Sequence, residues 1–119
     1  MIDFTPEQQC AIDTIDSNIS VSAGAGSGKT RVLVERFVNI ISKRKANADG
    51  ILAITFTRKA AREMRERVRT RINSLIKENT LDSFFWQEQL KLLDRAQICT
   101  IDSFCSRLLR ENPVEAQVD

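Results

Sequence analysis

Apolar residues recur along this chain in two rhythms, and the switch between them predicts its elements. Val32, Leu33, Phe37, Ile40 and Ile41 return at three- and four-residue spacing, which predicts a helix from Gly28 to about Arg44 that buries them. Ala61, Met64, Val68, Ile72 and Leu75 repeat that rhythm over a longer predicted helix, from about Arg58 to Ile76. Ile51 to Thr55 is instead a continuous apolar run ending in Thr-Phe-Thr, the pattern of a strand buried on both faces. Shorter runs at Ile19 to Ser22 and Gln97 to Ile101 predict two further strands. Thr5-Pro6-Glu7-Gln8 is a helix start, with Thr5 as N-cap, Pro6 at the first helical position and Gln8 placed for a capping box. That helix turns Cys10, Ala11 and Ile15 inward and ends near Asp16-Ser17-Asn18. Asn47-Ala48-Asp49-Gly50 is a turn, Ser83 to Leu93 a short helix, and Ser103 caps a last helix through Leu109 that Asn112-Pro113 ends. A helix followed by three strand–helix units predicts an α/β fold with a short parallel sheet and right-handed crossovers.

Composition narrows the setting. A chain of 119 residues allows one domain, and 42% hydrophobic with 29% charged residues suits a packed core under a charged surface. No apolar run approaches the roughly 20 residues of a membrane span, and Met-Ile-Asp-Phe lacks the basic and apolar regions of a signal peptide. Cys10, Cys99 and Cys105 show no CxxC spacing, and the chain has no histidine, so free thiols are expected rather than a disulfide framework or a zinc site. The expected compartment is the cytoplasm, with no membrane partner.

Net charge is +2, yet residues 58–71 carry seven basic groups against two acidic ones, +5 in all, leaving −3 for the rest. A localised polyanion contact follows more readily than general stickiness. Arg58, Arg62, Arg65 and Arg69 form a stripe about 90° around the helix from its apolar one at ~100° per residue. Most of that stripe reads as a solvated face supported by Glu63 and Glu66, with only its N-terminal one or two arginines reaching a ligand. Lys43-Arg44-Lys45 reads as a solvated helix end that complements the dipole. Phe84, Phe85 and Trp86 read as packing residues rather than a base-stacking platform.

The chemistry concentrates in Ala23-Gly24-Ala25-Gly26-Ser27-Gly28-Lys29-Thr30, set between a predicted strand and a predicted helix. This is a P-loop in its proper context: glycines let backbone N–H groups turn inward on phosphate, and the helix N-terminus adds its dipole. Lys29 would reach the β- and γ-phosphates of a nucleoside triphosphate, and the Thr30 hydroxyl would ligate Mg²⁺. The generic loop has glycine where Ala23 stands. Alone, the loop leaves kinase, GTPase, transporter ATPase and helicase open.

Four segments in order decide among these. Phe4-Thr5-Pro6-Glu7-Gln8-Gln9 with Ala11-Ile12 resembles the Q-motif of superfamily 1 DNA helicases of the UvrD/Rep type. AGAGSGKTRVLVERF resembles their motif I, Ala23 included; ILAITFTRKAAREMRERV resembles motif Ia; and TIDSFCSRLLRE resembles motif Ib. These segments cover roughly half the chain. Ser-Phe-Cys and Arg-Leu-Leu-Arg-Glu lean towards the AddA/RecB-like branch, whose members process broken DNA ends. The resemblance implies a RecA-like, three-layer P-loop unit and an ATP- and Mg²⁺-dependent motor. It assigns Gln8 to adenine, and Ala23, Gly24, Ala25, Gly26, Ser27, Gly28, Lys29, Thr30 and Arg31 to the nucleotide, with Lys29 and Thr30 serving catalysis. Single-stranded DNA is assigned to Thr55, Phe56, Thr57 and Arg58 and to Thr100, Ser103 and Phe104. Two residues depart from the family pattern. Arg58 stands where asparagine is common and adds a cation; Asp102 stands where histidine is common and repels phosphate.

The family's Asp-Glu pair, sensing glutamine and second-domain arginines find no match here. Asp102, Glu111, Glu115 and Asp119 lack the apolar strand that should precede such a pair. The resemblance therefore implies residues 1–119 to be the first part of the first motor domain, with an incomplete sheet and open edges that invite self-association. It also implies no appreciable ATPase activity for the chain alone. Partners implied are single-stranded DNA or duplex ends with single-stranded tails, the remainder of a helicase chain, and a nuclease domain or subunit. Two other readings stay open: a stand-alone nucleotide- or DNA-binding module, and a P-loop kinase or GTPase, which TFTRKAAREM and TIDSFC disfavour.

Overall fold

A computed structural model of the chain describes residues 4–20, 28–78 and 81–116. Its elements are α1 (Pro6–Asp13), α2 (Lys29–Ser42), a 3₁₀ turn (Ala48–Gly50), β1 (Leu52–Thr55), α3 (Arg58–Glu78), α4 (Ser83–Leu93), β2 (Gln97–Thr100), α5 (Ile101–Glu111) and α6 (Pro113–Ala116). The fold is α/β, mostly helical. Among the described residues the sheet has two strands, β1 and β2, paired in parallel with Ala53 opposite Ile98 and Thr55 opposite Thr100. Of the predicted first strand, Ile19 and Ser20 are not extended into a ladder, and Val21 and Ser22 lie outside the described residues. Residues 23–27 of the P-loop lie outside them as well.

The central core joins α2, α3, α4 and β2: Val34, Phe37, Val38 and Ile41 meet Met64, Val68, Ile72, Trp86, Leu93 and Ile98. The stripe predicted for α3 is the buried one, with Leu75 partly covered. On α2 Val32, Phe37 and Ile41 are buried as predicted, but the remaining places differ. Val34 and Val38 go inside, while Leu33 is 51% exposed. The cause is that α2 serves two neighbours, sending Val32 to a small cluster with Ala11, Ile12 and Phe4 and its opposite flank to α3.

Two further expectations are corrected. Cys10 is exposed and Ile12 takes the inward place, because α1 meets α2 through its last turn and ends at Asp13, short of the predicted boundary. The strand β1 is covered on one face only: Ala53 and Ile98 face the core under α3, while Leu52 and Ile54 remain 44% and 45% exposed. A continuous apolar run marks a strand that expects cover on both sides, but among the described residues only one helical layer is present. All three cysteines are free thiols.

The basic run after α2 is not simply solvated. Lys45 N–H donates to Ile40 O at 3.1 Å and Arg44 N–H to Ile41 O at 2.9 Å, the two bonds of a Schellman cap. Arg44 occupies its left-handed position (φ 59°), where glycine is usual, and its guanidinium lies 3.5 Å from the centre of the Phe85 ring. Lys45 pairs with Asp16 at 3.2 Å. Phe85 and Trp86 pack edge to face at 5.2 Å, as the packing reading expects, whereas Phe84 stays 73% exposed. Nothing in the sequence pattern signals Gln89, which is buried and closes the turn before β1. It accepts from Ala48 N–H at 2.8 Å and donates to Asn47 Oδ1 at 2.9 Å.

Candidate nucleotide and nucleic-acid sites

At the start of α2, Gly28 is the N-cap in the left-handed conformation (φ 83°), a backbone that L side chains rarely adopt. Lys29 and Thr30 follow as the first helical residues, both exposed, so side chains and N–H groups share one helix end. The capping box of α1 brings Gln8 to the same place. Gln8 N–H donates to Thr5 Oγ1 at 3.2 Å, and Thr5 N–H donates to Gln8 Oε1 at 2.9 Å. This ties Gln8 Oε1 to the start of α1, and a Cβ on Gly28 would stand 3.4 Å from Gln8 Nε2. The Arg31 guanidinium, in the same first turn of α2, sits 5.0 Å over the Phe4 ring. Gln8, Gly28, Lys29, Thr30 and Arg31 thus lie on two packed helices, one bearing an amide, the other cations and a hydroxyl. That set fits an adenine nucleotide's base and phosphates; for a divalent cation it offers the Thr30 hydroxyl, and no cluster of three acidic, Cys or His residues occurs among the described residues.

The second site is an open groove of about 950 Å³. Phe56 and Arg58 line one side, Thr100, Asp102 and Ser103 the other, and Ser106, Leu109, Arg110 and Pro113 continue it along α5 and α6. Parallel pairing explains the convergence. Strands β1 and β2 end in register, Thr55 beside Thr100, and each runs almost directly into a helix. Two helix N-termini therefore open at the carboxyl ends of the strands, where open parallel sheets place their ligand crevices.

Local bonding shows how each residue is held. Thr57 Oγ1 accepts from Ala60 N–H at 3.0 Å and Thr57 O from Ala61 N–H at 3.0 Å, so Thr57 caps α3. Thr55 Oγ1 donates to Thr57 O at 3.0 Å, which tightens the turn and throws Phe56 outward, 99% exposed. Thr100, not Ser103, is the N-cap of α5: its Oγ1 accepts from Ser103 N–H at 3.1 Å and donates to Ser103 Oγ at 2.9 Å. Of the sequence candidates, Phe56, Arg58, Thr100 and Ser103 line the groove; Thr55 and Thr57 shape it from behind, and Phe104 lies outside its lining. Asp102 does line it, and Arg110 supplies a second cation that the motifs do not single out.

The basic stripe of α3 divides by role. Arg65 donates to three carbonyls at the α4–β2 junction, Leu93 O at 2.5 Å, Ala96 O at 3.0 Å and Ile98 O at 3.4 Å. Arg69 pairs with Glu66 at 3.5 Å and Asp94 at 3.4 Å, and Arg71 with Glu35 at 2.7 Å. Arg58, at the N-terminal end, is the member of the stripe that faces the groove.

The described residues thus offer two candidate sites, the start of α2 with Gln8 and the groove at the strand ends. The UvrD/REP helicase N-terminal domain matches residues 4–119, and the chain belongs to that family. The relatives then point to one branch. An ATP-dependent helicase/nuclease subunit of Lachnoclostridium phytofermentans is 50% identical over 111 residues, 92% of this chain and 8% of its own length. The protein of the same description from Alkaliphilus metalliredigens is 47% identical over 112 residues (94% and 9%), and that of Oceanobacillus iheyensis 41% over 121 (100% and 10%). The chain spans at most about a tenth of the length of these relatives. Among the described residues no helix is long and apolar enough to cross a membrane.

Proposed function

We propose that this chain is the ATP-binding and single-stranded-DNA-contacting part of an ATP-dependent DNA helicase that acts in DNA repair or recombination. Convergence carries the reading: two motifs some forty residues apart in the chain meet in one groove at the strand ends, with Phe56 fully presented to solvent. In that groove Phe56 stacks on a base, Arg58 and Arg110 meet phosphates, and the N–H groups at the starts of α3 and α5 add favourable dipoles for an anion. Asp102 opposes them and limits how closely the backbone approaches on its side. On the other site, Gln8 reads the adenine edge, while residues 23–28 with Lys29 hold the phosphates and Thr30 supplies a ligand to Mg²⁺. Bound Mg²⁺ would neutralise phosphate charge there; the chain's own groups bind and orient the nucleotide.

The partners proposed are the remainder of a helicase chain and a nuclease domain or subunit, in keeping with the relatives' description. No acidic pair following an apolar strand occurs in these 119 residues, so the chain by itself is expected to hold ATP without turning it over. Titration of a fluorescent single-stranded oligonucleotide tests the reading. Wild type is expected to bind it in preference to blunt duplex, and Phe56→Ala to weaken binding about tenfold, the scale of one base–aromatic stack. Equal binding by both proteins would contradict it.

A further inference from the structure

The helix that begins at the phosphate site also grips the helix that carries the adenine-reading residue. Arg36 and Asn39 lie on α2, two and nearly three turns beyond Lys29. Arg36 Nη1 donates to Ala11 O at 2.6 Å and to Thr14 O, and Asn39 Nδ2 donates to Ile12 O at 3.1 Å. These are carbonyls at the C-terminal end of α1, which have no partner within their own helix and otherwise turn to water or to a cap. The guanidinium also places positive charge where the helix dipole is negative. Ala11 and Ile12, with Phe4 beside them, pack on Val32 along the same seam, and the polar bonds add direction to that apolar contact.

We infer that Arg36, assisted by Asn39, is a positioning residue for base discrimination: it sets the register of α1 on α2 and so the distance from the Gln8 amide to the phosphate-binding helix start. The inference rests on the reading of Gln8 as the adenine contact. Three features support it. The capping box fixes the Gln8 side chain to the first turn of α1, so α1 and the amide move together. The Gly28 backbone runs beside the Gln8 side chain, a Cβ there standing 3.4 Å from Gln8 Nε2, so a shift of α1 along α2 moves the amide relative to that helix start. And the clamp acts at the opposite end of α1, away from any nucleotide contact, so losing it loosens the base site and leaves the phosphate site whole.

Competition binding with ATP, GTP and inorganic tripolyphosphate separates these contributions, with melting curves recorded on every variant. Wild type is expected to prefer ATP over GTP by about tenfold or more, the scale of one amide pairing with a base edge. Arg36→Ala and Asn39→Ala should shrink that ratio towards one while tripolyphosphate affinity stays within about twofold, a tenfold step being ~1.4 kcal/mol. Arg36→Lys, which keeps a cation and a donor, should recover part of the ratio. Gln8→Ala should abolish it, and adding Arg36→Ala to Gln8→Ala should then change nothing more, because both act through one amide. An Arg36→Ala protein that loses tripolyphosphate binding in step with ATP would show a merely structural role and overturn the inference. So would a ratio preserved in folded Asn39→Ala and Arg36→Lys together with Arg36→Ala. If wild type itself shows no preference for ATP over GTP, the assignment of Gln8 fails instead, before the clamp is reached.

Discussion

Gly28 shows how much one backbone position carries. Its left-handed φ is one that L side chains rarely adopt, and Gly28→Ala should cost about 1–2 kcal/mol of strain. A lower melting temperature together with weaker ATP binding is the expected outcome; unchanged values for both would show that the helix start is not held this way. Arg44 presents the reverse case, a non-glycine residue accepting the same strain at a helix end because its guanidinium gains the Phe85 face. Capping was legible where it was local and unambiguous: Thr5-Pro6-Glu7-Gln8 predicts the box that forms. At the last long helix two hydroxyls stand three residues apart, and the earlier one wins because Thr100 is both the end of β2 and the start of α5. Thr100→Ala should therefore lower stability by about 1 kcal/mol, the worth of a cap, and Ser103→Ala by clearly less. Chemical denaturation of the two variants decides between them.

At the scale of elements, periodicity located α3 well because it buries one uninterrupted stripe. The helix α2 was legible in part, through Val32, Phe37 and Ile41 but not Val34 and Val38, since a helix shared between two neighbours has two apolar flanks and no single stripe reports both. The arginine stripe of α3 was legible as a stripe but not in its division of labour, which depends on carbonyls far away in sequence. Arg65 binds three of them, and through them holds β2 against the helix that starts at Arg58. Arg65→Ala is expected to destabilise the protein by about 2–3 kcal/mol, as loss of charge-assisted bonds that leaves carbonyls unpaired. Arg62→Ala, on the exposed face, should fall within about 0.5 kcal/mol of wild type. Urea midpoints that fail to separate these two would refute the clamp.

For the molecule as a whole, β1 and α5 leave Leu52, Ile54, Ile101, Leu108 and Leu109 substantially exposed. No residue of α5 is buried, although its apolar and polar positions segregate clearly along the helix. An amphipathic helix and a half-exposed strand face give a surface prone to association. Light scattering should show mass rising with concentration, and Ile54→Lys with Leu108→Lys should suppress the rise without lowering the melting temperature. A monodisperse monomer at all concentrations would count against it.

The groove was only half legible. Phe56, Arg58, Thr100 and Ser103 stand out through their motifs, but Arg110 does not, because its place in the groove follows from how α5 leaves β2. That residue makes the central claim measurable. The affinity of the chain for single-stranded oligothymidylate should fall with salt, because phosphate contacts release counterions. Each contact removed lowers the slope of log affinity against log salt by about 0.7, so Arg58→Ala with Arg110→Ala should reduce it by about 1.4. That reduction, in a protein whose melting temperature is unchanged, is the result expected of a groove that holds DNA; a slope identical to wild type would contradict it.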